Sequence, residues 1–481
     1  MVNILISGYY GFDNIGDESI LRTLVSSLRE HIPDCSLTVL SHNPASTREK
    51  YGVEAVDRMS PMAILRAVKK CDMLISGGGS LLQDVTSSKS LHYYLSIIRC
   101  AEFFHKKVFI YSQGIGPIDR PGNRRAAAAA LKRADGIVVR DERSASLLEE
   151  IGIARDKVVI TADPVIRMKK PDGDVGAEIL RKAGVSLDGR LTVGWAIRER
   201  DTDSRFVKEL LRSIQMMKDK YNAQSVLIPF HYEEDGEVCR HIAAQLPDDT
   251  AVCLNEKYLS EDMLSIIGNM DLLVGVRLHS LIYAAIMGVP LIGISYDPKC
   301  TAFLNSVGLD KLSTKENFTA ERFLPEAERV LETGKEQVQC VEAHMAKLSR
   351  KLDTNEKMIC AIMEKSRKHT MQDPQNNTEK KDKSGVRTAG AISFVFLLTL
   401  FAKLLGVVRE MMQANIFGTG IDADLYTASY NSTLYLFTTM CYALCIAAVP
   451  ILTKEFAADR KRGEKAANNL LTITLLGSLA A

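Results

Sequence analysis

No two cysteines in this chain form a CxxC pair, although it holds ten of them. The closest two, Cys441 and Cys445, fall in an apolar segment. This scatter excludes a zinc ribbon or a disulfide framework and fits a reducing compartment. Charge of one sign is equally scarce. A formal net charge of +2 over 481 residues leaves no dense basic face, so nucleic acid is not an expected partner. There is no HExxH, and Asp201-Thr202-Asp203 lies in a charged, solvated stretch. Neither a metal nor a cofactor is expected. No basic n-region precedes the strand-like run MVNILISGYYGF, so no signal peptide is expected. No repeat of fixed period is present, which excludes a solenoid.

What is present is alternation. Up to about residue 370, short apolar runs alternate with amphipathic helical stretches. Strands are expected at 3–7, 37–41, 73–76, 108–112, 136–139 and 158–161, then at 191–195, 225–230, 251–254, 271–274 and 291–295. Strands separated by helices give parallel sheets covered on both faces. Eleven of them suggest two sheets. The expected class is therefore α/β, with two Rossmann-like domains at 1–168 and 190–370. A Gly-rich, charged hinge lies at 169–189, and closing helices end the second domain.

A polar, linker-like segment follows at 371–387. Apolar runs come next at 388–408, interrupted only by Lys403, and at 425–453, which carries no charge. Each is long enough to span a bilayer, which needs roughly 20 residues. The run at 470–481 is too short. The linker and the segment after 453 are net basic, and the loop between the runs is net acidic. By the positive-inside rule the large N-terminal part is cytoplasmic, at the cell membrane. A buried helix at 388–408 is the alternative.

In open parallel sheets, ligands bind beyond the strand C-termini. The unusual residues fall at such ends. Arg277 and His279 lie where a strand feeds an apolar helix that Gly288 and Pro290 stop, flanked by Gly275 and Ser280. A guanidinium and an imidazole at such a place suit an anionic ligand. They could equally be structural groups of a core turn. Asp13 and Asn14 precede the first helix, in a loop that is not GxGxxG. Asp17 and Glu18 read as dipole-compensating residues of its first turn. Gly77, Gly78 and Gly79 offer backbone N–H groups. Arg140 at another strand end is an anion clamp or a partner of Asp141 or Glu142. Arg198 and His231 are similar in kind.

The motifs GYYGFDNIGDE (8–18), SGGGSLLQD (76–84), SQGIGP (112–117), VRDERS (139–144), ADP (162–164) and GVRLHSLIYAAIMGVPLIGISYDPK (275–299) come in order along the chain. Together they resemble the polysaccharide pyruvyl transferase family, in particular its cell-surface-anchoring type, over about 3–350. The resemblance implies a two-domain fold like the GT-B glycosyltransferases. It implies phosphoenolpyruvate as donor and a lipid-linked cell-wall polysaccharide as acceptor. The acceptor sugar would be N-acetylmannosamine, and the product a 4,6-linked pyruvate ketal that anchors S-layer proteins. On that reading Arg277 and Arg140 grip the donor and His279 is the acid or phosphate-stabilising group. Asp13 is the acceptor base or hydroxyl anchor, with Asn14 and Ser280 beside the site, and Gly77–Gly79 admit the acceptor. The stretch 393–430 resembles the start of a MurJ/MviN-type lipid II flippase, a family with many more spans. Competing expectations are a nucleotide-sugar glycosyltransferase on the same architecture, or a non-catalytic membrane-tethered module.

Overall fold

The computed structural model of the chain describes residues 2–85 and 87–372, with side chains to residue 365. The linker expected at 371–387, apart from its first two residues, lies outside the described residues. So do the runs at 388–408, 425–453 and 470–481. Among the described residues no helix is long and apolar enough to cross a membrane.

Two parallel sheets form the core. The first contains β1 (Val2–Tyr10), β2 (Cys35–Ser41), β3 (Glu54–Asp57), β4 (Met73–Ser76), β5 (Gly79–Leu82), β6 (Lys107–Ile115), β7 (Gly136–Val139) and β8 (Val158–Ile160). Its order is β3-β2-β1-β4-β6-β7-β8, with β5 paired to β6. The second contains β9 (Thr192–Ala196), β10 (Gln224–Leu227), β11 (Ala251–Cys253), β12 (Leu272–Gly275), β13 (Leu291–Ser295) and β14 (Ser313–Thr314), in the order β11-β10-β9-β12-β13-β14. All eleven expected strands are found. Three more were not legible: β3 and β14 are short edge strands, and β5 follows directly on a glycine run that reads as a loop.

Strand sequence explains why both faces of each sheet are covered. In β1, Leu5 packs into one core while Ile4 and Ile6 pack into the core on the opposite face. In β12, Leu273 faces one core and Leu272 and Val274 the other. Successive side chains of a strand point to opposite faces, so continuous apolar runs mean burial on both.

A third kind of core joins the halves. Ile15, Ile20, Ala162, Val165 and Ile166 from the first half share one apolar cluster with Phe230, Leu278, Ile282 and Tyr283 from the second. The helical stretch Ala320–Gln372, broken at Thr333, also crosses between them. It leaves the second sheet and ends under the first, where Ile359 and Met363 pack with Ile6, Met73 and Tyr111. Asn355 donates to Ser112 Oγ at 2.9 Å, and Glu356 accepts from Ser27 Oγ at 2.6 Å and Tyr111 Oη at 2.9 Å. The closing helices expected with 190–370 thus finish against the other sheet. Glu356→Ala orphans two buried hydroxyls, each worth about 1–3 kcal/mol when left unpaired. We expect a loss of at least that size in urea-unfolding stability, largely restored by Glu356→Gln.

Candidate active site

The C-terminal ends of both sheets open onto one cavity of about 560 Å³. From the first half come Tyr9 of β1 and Asn14 after it, Gly79 and Ser80 of β5, Gly114 of β6 and Gly116 just past it, and Arg140 after β7. From the second come Arg198 after β9, His231 after β10, Arg277 and His279 after β12, and Lys299 after β13. A backbone bridge, Asn14 to His231, ties the two rims together, and Ile15 N donates to Phe230 O at 3.3 Å.

The cavity is lined by cations whose charges are partly matched by buried acids. Arg277 donates from Nη2 to the fully buried Asp235 at 2.5 Å, with Glu234 at 3.5 Å. Burial would depress this guanidinium, but Asp235 outweighs it and the pKa is raised. Its Nε is buried without a hydrogen bond among the described residues. Arg140 donates to Asp163 Oδ2 at 3.1 Å and to Ser80 Oγ at 2.9 Å, with Asp141 at 3.5 Å. Here too burial opposes the charge and the neighbouring acids prevail. The strand-end arginine is therefore ion-paired, with Asp163 and with the expected Asp141, and it also lines the cavity.

Asp163, the middle residue of the ADP motif, joins the halves electrostatically. It accepts from Arg140, caps the turn through Val165 N at 3.1 Å, and lies 3.8 Å from His279 Nε2. The sequence reading quoted the motif without assigning this residue. Its position at the end of β8 was the available signal. Lys299, at the start of the helix Pro298–Ser306, was missed in the same way.

His279 is packed tightly. A Cβ at Gly16 would lie 2.0 Å from its Nδ1, so only glycine admits the ring. Burial first, then the charges of Arg140, Lys299 and Arg277, push its pKa down to about 4 against the pull of Asp163. The imidazole is therefore neutral near pH 7, not poised there as its ordinary value suggested. Its Nε2 is buried with no hydrogen bond among the described residues.

The acids of the first loop divide differently from the expectation. Asp13 lies in a neighbouring pocket, half-exposed, with Lys50 at 3.2 Å and Lys257 at 3.5 Å. Burial is the largest single influence and raises its pKa, but Lys50 and Lys257 together outweigh it and hold the carboxyl below the ordinary value. The structure does not bring it together with Arg277 and His279. Asp17 lines the cavity instead. Burial, then the charge of Glu18, push its carboxyl up to about 7, and Lys299 and Arg140 only partly offset this. It makes no hydrogen bond among the described residues, so it does not cap the helix. Glu18 does structural work: it accepts from Gly11 N at 2.8 Å and bonds the Tyr51 hydroxyl.

Other expectations are placed as follows. Asn14 lines the cavity while accepting from Gly16 N at 3.1 Å as helix cap. His231 lines it too, and caps the helix Tyr232–Gln245. Ser280 is buried and its hydroxyl donates to Arg277 O at 2.6 Å, so it holds the loop rather than facing the cavity. Gly77 and Gly78 do not line it. A Cβ at Gly77 would lie 2.2 Å from Tyr10 Oη, and one at Gly78 2.9 Å from Ile20. They permit close packing. Gly79, at φ 90°, does line the cavity.

A sequence model of the polysaccharide pyruvyl transferases matches residues 14–298, more than half of the chain. The chain belongs to the polysaccharide pyruvyl transferase family. The matched span holds most of both rims of the cavity, Tyr9 and Lys299 lying just outside it. The amylovoran biosynthesis protein AmsJ of Erwinia amylovora is 21% identical over 370 residues, covering 65% of this chain and 88% of that one. The fold is similar to Anabaena HepE in complex with UDP-glucose (TM-score 0.53, 11% identity, 76% of this chain and 100% of that one). It is also similar to a glycosyltransferase of Rickettsia africae (TM-score 0.53, 12% identity, 74% and 98%). These likenesses make the architecture GT-B-like.

The raised carboxyl has a consequence for stability. Asp17 binds its proton more tightly folded, with a pKa of about 7 against an ordinary 3.8. Its contribution is therefore greatest at low pH and is lost as pH rises across that window. Asp17→Asn should be more stable than wild type at pH 8, with the difference shrinking towards pH 4, in thermal unfolding at several pH values. No pH dependence of the difference would refute the assignment.

Proposed function

We propose that the cavity transfers pyruvate from phosphoenolpyruvate to a polysaccharide sugar as a ketal. The observation that carries this reading is a set of four cations, Arg140, Arg198, Arg277 and Lys299, around a neutral, orphaned His279 Nε2 and a proton-holding Asp17. Phosphoenolpyruvate carries a carboxylate and a phosphate three bonds apart. Two clamps from opposite halves suit it, because a guanidinium grips either group bidentately.

Ketal formation adds two sugar hydroxyls to the enol carbon and releases inorganic phosphate. The methylene gains a proton and becomes the methyl group, leaving an oxocarbenium-like carbon. The first hydroxyl attacks and loses its proton. The second attacks the same carbon, the C–O bond to phosphate breaks, and the second proton leaves with the phosphate. A group titrating near pH 7 can both give and take a proton, which assigns this work to Asp17 in place of Asp13. His279 donates a hydrogen bond to the phosphate, whose negative charge would draw its depressed pKa back up. Arg277 and Lys299 hold the donor from the second half and Arg140 from the first. Asn14 and Gly79 flank the acceptor. No metal or cofactor is invoked.

Family membership and the relative named for amylovoran biosynthesis support a polysaccharide acceptor. N-acetylmannosamine on a lipid-linked secondary polymer, with an S-layer-anchoring ketal, is our reading of the acceptor. The apolar runs beyond residue 387 and their basic flanks support work beside the inner leaflet, where such an acceptor is found.

The test is incubation of the full chain with phosphoenolpyruvate and N-acetylmannosamine, galactose and glucose glycosides. Phosphate release and a pyruvylated sugar are expected. Arg277→Ala and His279→Ala should each lower the rate at least ~100-fold, as should Asp17→Asn. For Asp17→Asn the thermal midpoint should not fall. Turnover of a UDP-sugar, with phosphoenolpyruvate untouched, would overturn the reading.

A further inference from the structure

Among the described residues, the four most exposed large apolar side chains lie in one stretch of the first half: Met59 at 68%, Met62 at 59%, Val85 at 67% and Phe103 at 76%. The next, Val175 and Leu259, reach 43%. Exposed apolar side chains scattered singly are ordinary, but a group of them marks a surface that something covers. Two helices carry this group. In the helix Pro61–Lys70, Ile64, Ala67 and Val68 pack into a core of the first sheet. Met62, Arg66, Lys69 and Lys70 stay exposed, the first three at the spacing of one helix face. The helix Ser88–Phe103 packs beside it. Its exposed face is His92, Ser96, Arg99 and Phe103.

Contacts join the two helices into one surface. Lys69 Nζ lies 5.1 Å from the Phe104 ring centroid, and Phe104 packs edge-on against Phe103 at 5.1 Å and 87°. Towards the other end, Tyr93 Oη donates to Arg58 O at 3.0 Å, next to Met59. Arg58 in turn donates to Tyr94 Oη at 3.2 Å, and Tyr94 and Val85 line the cavity. The surface therefore reaches from Phe103 to the cavity rim.

Its charge says what covers it. The first of these helices holds Arg66, Lys69 and Lys70 and no acid. The second adds Lys89 and Arg99 against Glu102, whose carboxyl burial pushes up. Five cations against one acid leave an excess of four on two helices, in a chain whose whole net charge is +2. Apolar side chains among cations match an anionic lipid surface. The apolar tips enter the boundary between headgroups and acyl chains, and the long basic side chains hold their charges at the phosphates. The described helical stretch Ala320–Gln372 also finishes against this half, and the sequence then continues into two apolar runs of bilayer length.

We propose that the face from Met62 to Phe103 rests on an anionic lipid leaflet and turns the cavity rim at Tyr94 and Val85 towards a lipid-linked acceptor. The proposal rests on the pyruvyl transfer reading for that acceptor and goes further by naming the surface that meets the membrane.

Trp195 is the one tryptophan of the chain and is fully buried, so a second one at the surface reports on its own surroundings. Full-length protein is reconstituted into vesicles of phosphatidylcholine and phosphatidylglycerol with brominated acyl chains, which quench tryptophan on contact. Met62→Trp and Phe103→Trp each change an exposed side chain and should each lose about half or more of the added emission. Tyr221→Trp, exposed on the second half, should keep it. Adding Lys69→Gln and Lys70→Gln to Met62→Trp, or leaving out phosphatidylglycerol, should weaken the quenching by about twofold or more. Equal quenching of Met62→Trp and Tyr221→Trp overturns the proposal, as does quenching indifferent to both the lysines and the anionic lipid. A concentration-dependent blue shift of Met62→Trp in detergent without lipid would mean that a second copy of the chain covers this face, and also overturns it. The reaction is read separately. Quenching without phosphate release from phosphoenolpyruvate keeps the surface and refutes the transfer, and release without quenching does the reverse.

Discussion

The apolar cluster shared by the two halves is the constraint on which the site depends. Ile15 and Ile20 from the first helix, Val165 and Ile166 after β8, and Phe230, Leu278 and Tyr283 from the second half bury one another. A fully buried side chain of this size contributes on the order of 1.5–3 kcal/mol, so the joint far outweighs the exposed ion pairs around it, such as Arg22 with Glu261. Its location has a geometric consequence. Ile15, Val165, Phe230 and Leu278 follow closely on strand C-termini, and Ile20 and Tyr283 lie further along the helices that begin there. Burying them together turns the C-terminal ends of both sheets towards one space. The helical stretch Ala320–Gln372, pinned beneath the first sheet by Asn355 and Glu356, adds a second connection on another side.

Within that space the electrostatics are arranged by burial. Arginines are kept charged because Asp163, Asp141 and Asp235 lie against them, and those acids are themselves largely desolvated. Two nitrogens of cavity-lining residues, Arg277 Nε and His279 Nε2, are left buried with no hydrogen bond among the described residues. Asp17 and His279 respond to the same burial in opposite directions. Desolvation disfavours the charged form of each, so the acid's pKa rises to about 7 and the imidazole's falls to about 4. Near neutral pH the imidazole is thus uncharged and the carboxyl is only partly ionised. An anionic donor then meets a cationic surface on which the opposing charge of Asp17 is reduced.

Much of the fold could be read from the chain. Apolar runs of about four to six residues between helical patterns placed eleven of the strands, because such runs suit a sheet covered on both faces. β14 has only two residues, β3 (Glu54–Asp57) is bounded by its own acids, and β5 follows directly on a glycine run, so none shows the apolar run that marked the others. The rule that ligands lie beyond strand C-termini found Arg277, His279, Arg140, Asn14 and Gly79. It failed where two neighbours in one loop diverge. Asp13 adopts a left-handed φ of 54° and turns to Lys50 and Lys257, while Asp17, three residues into the helix region, faces the cavity. Gly77, Gly78 and Ser280 looked like site residues because they sit in site motifs. Their contacts show that they shape the loops on which the site stands.

The chain by itself determined the class of the molecule: parallel α/β architecture, two sheets, strand ends that carry unusual polar residues, and motif order that marks the family. These are local properties, set by period and spacing along the chain. Tertiary structure alone decided which polar residues share one cavity and what charge they carry there. Asp163 pairs with Arg140 across 23 residues and approaches His279 across more than a hundred, and no local pattern encodes either contact. The proton affinities of Asp17 and His279 are decided the same way, since both follow from burial beneath the opposite half of the molecule.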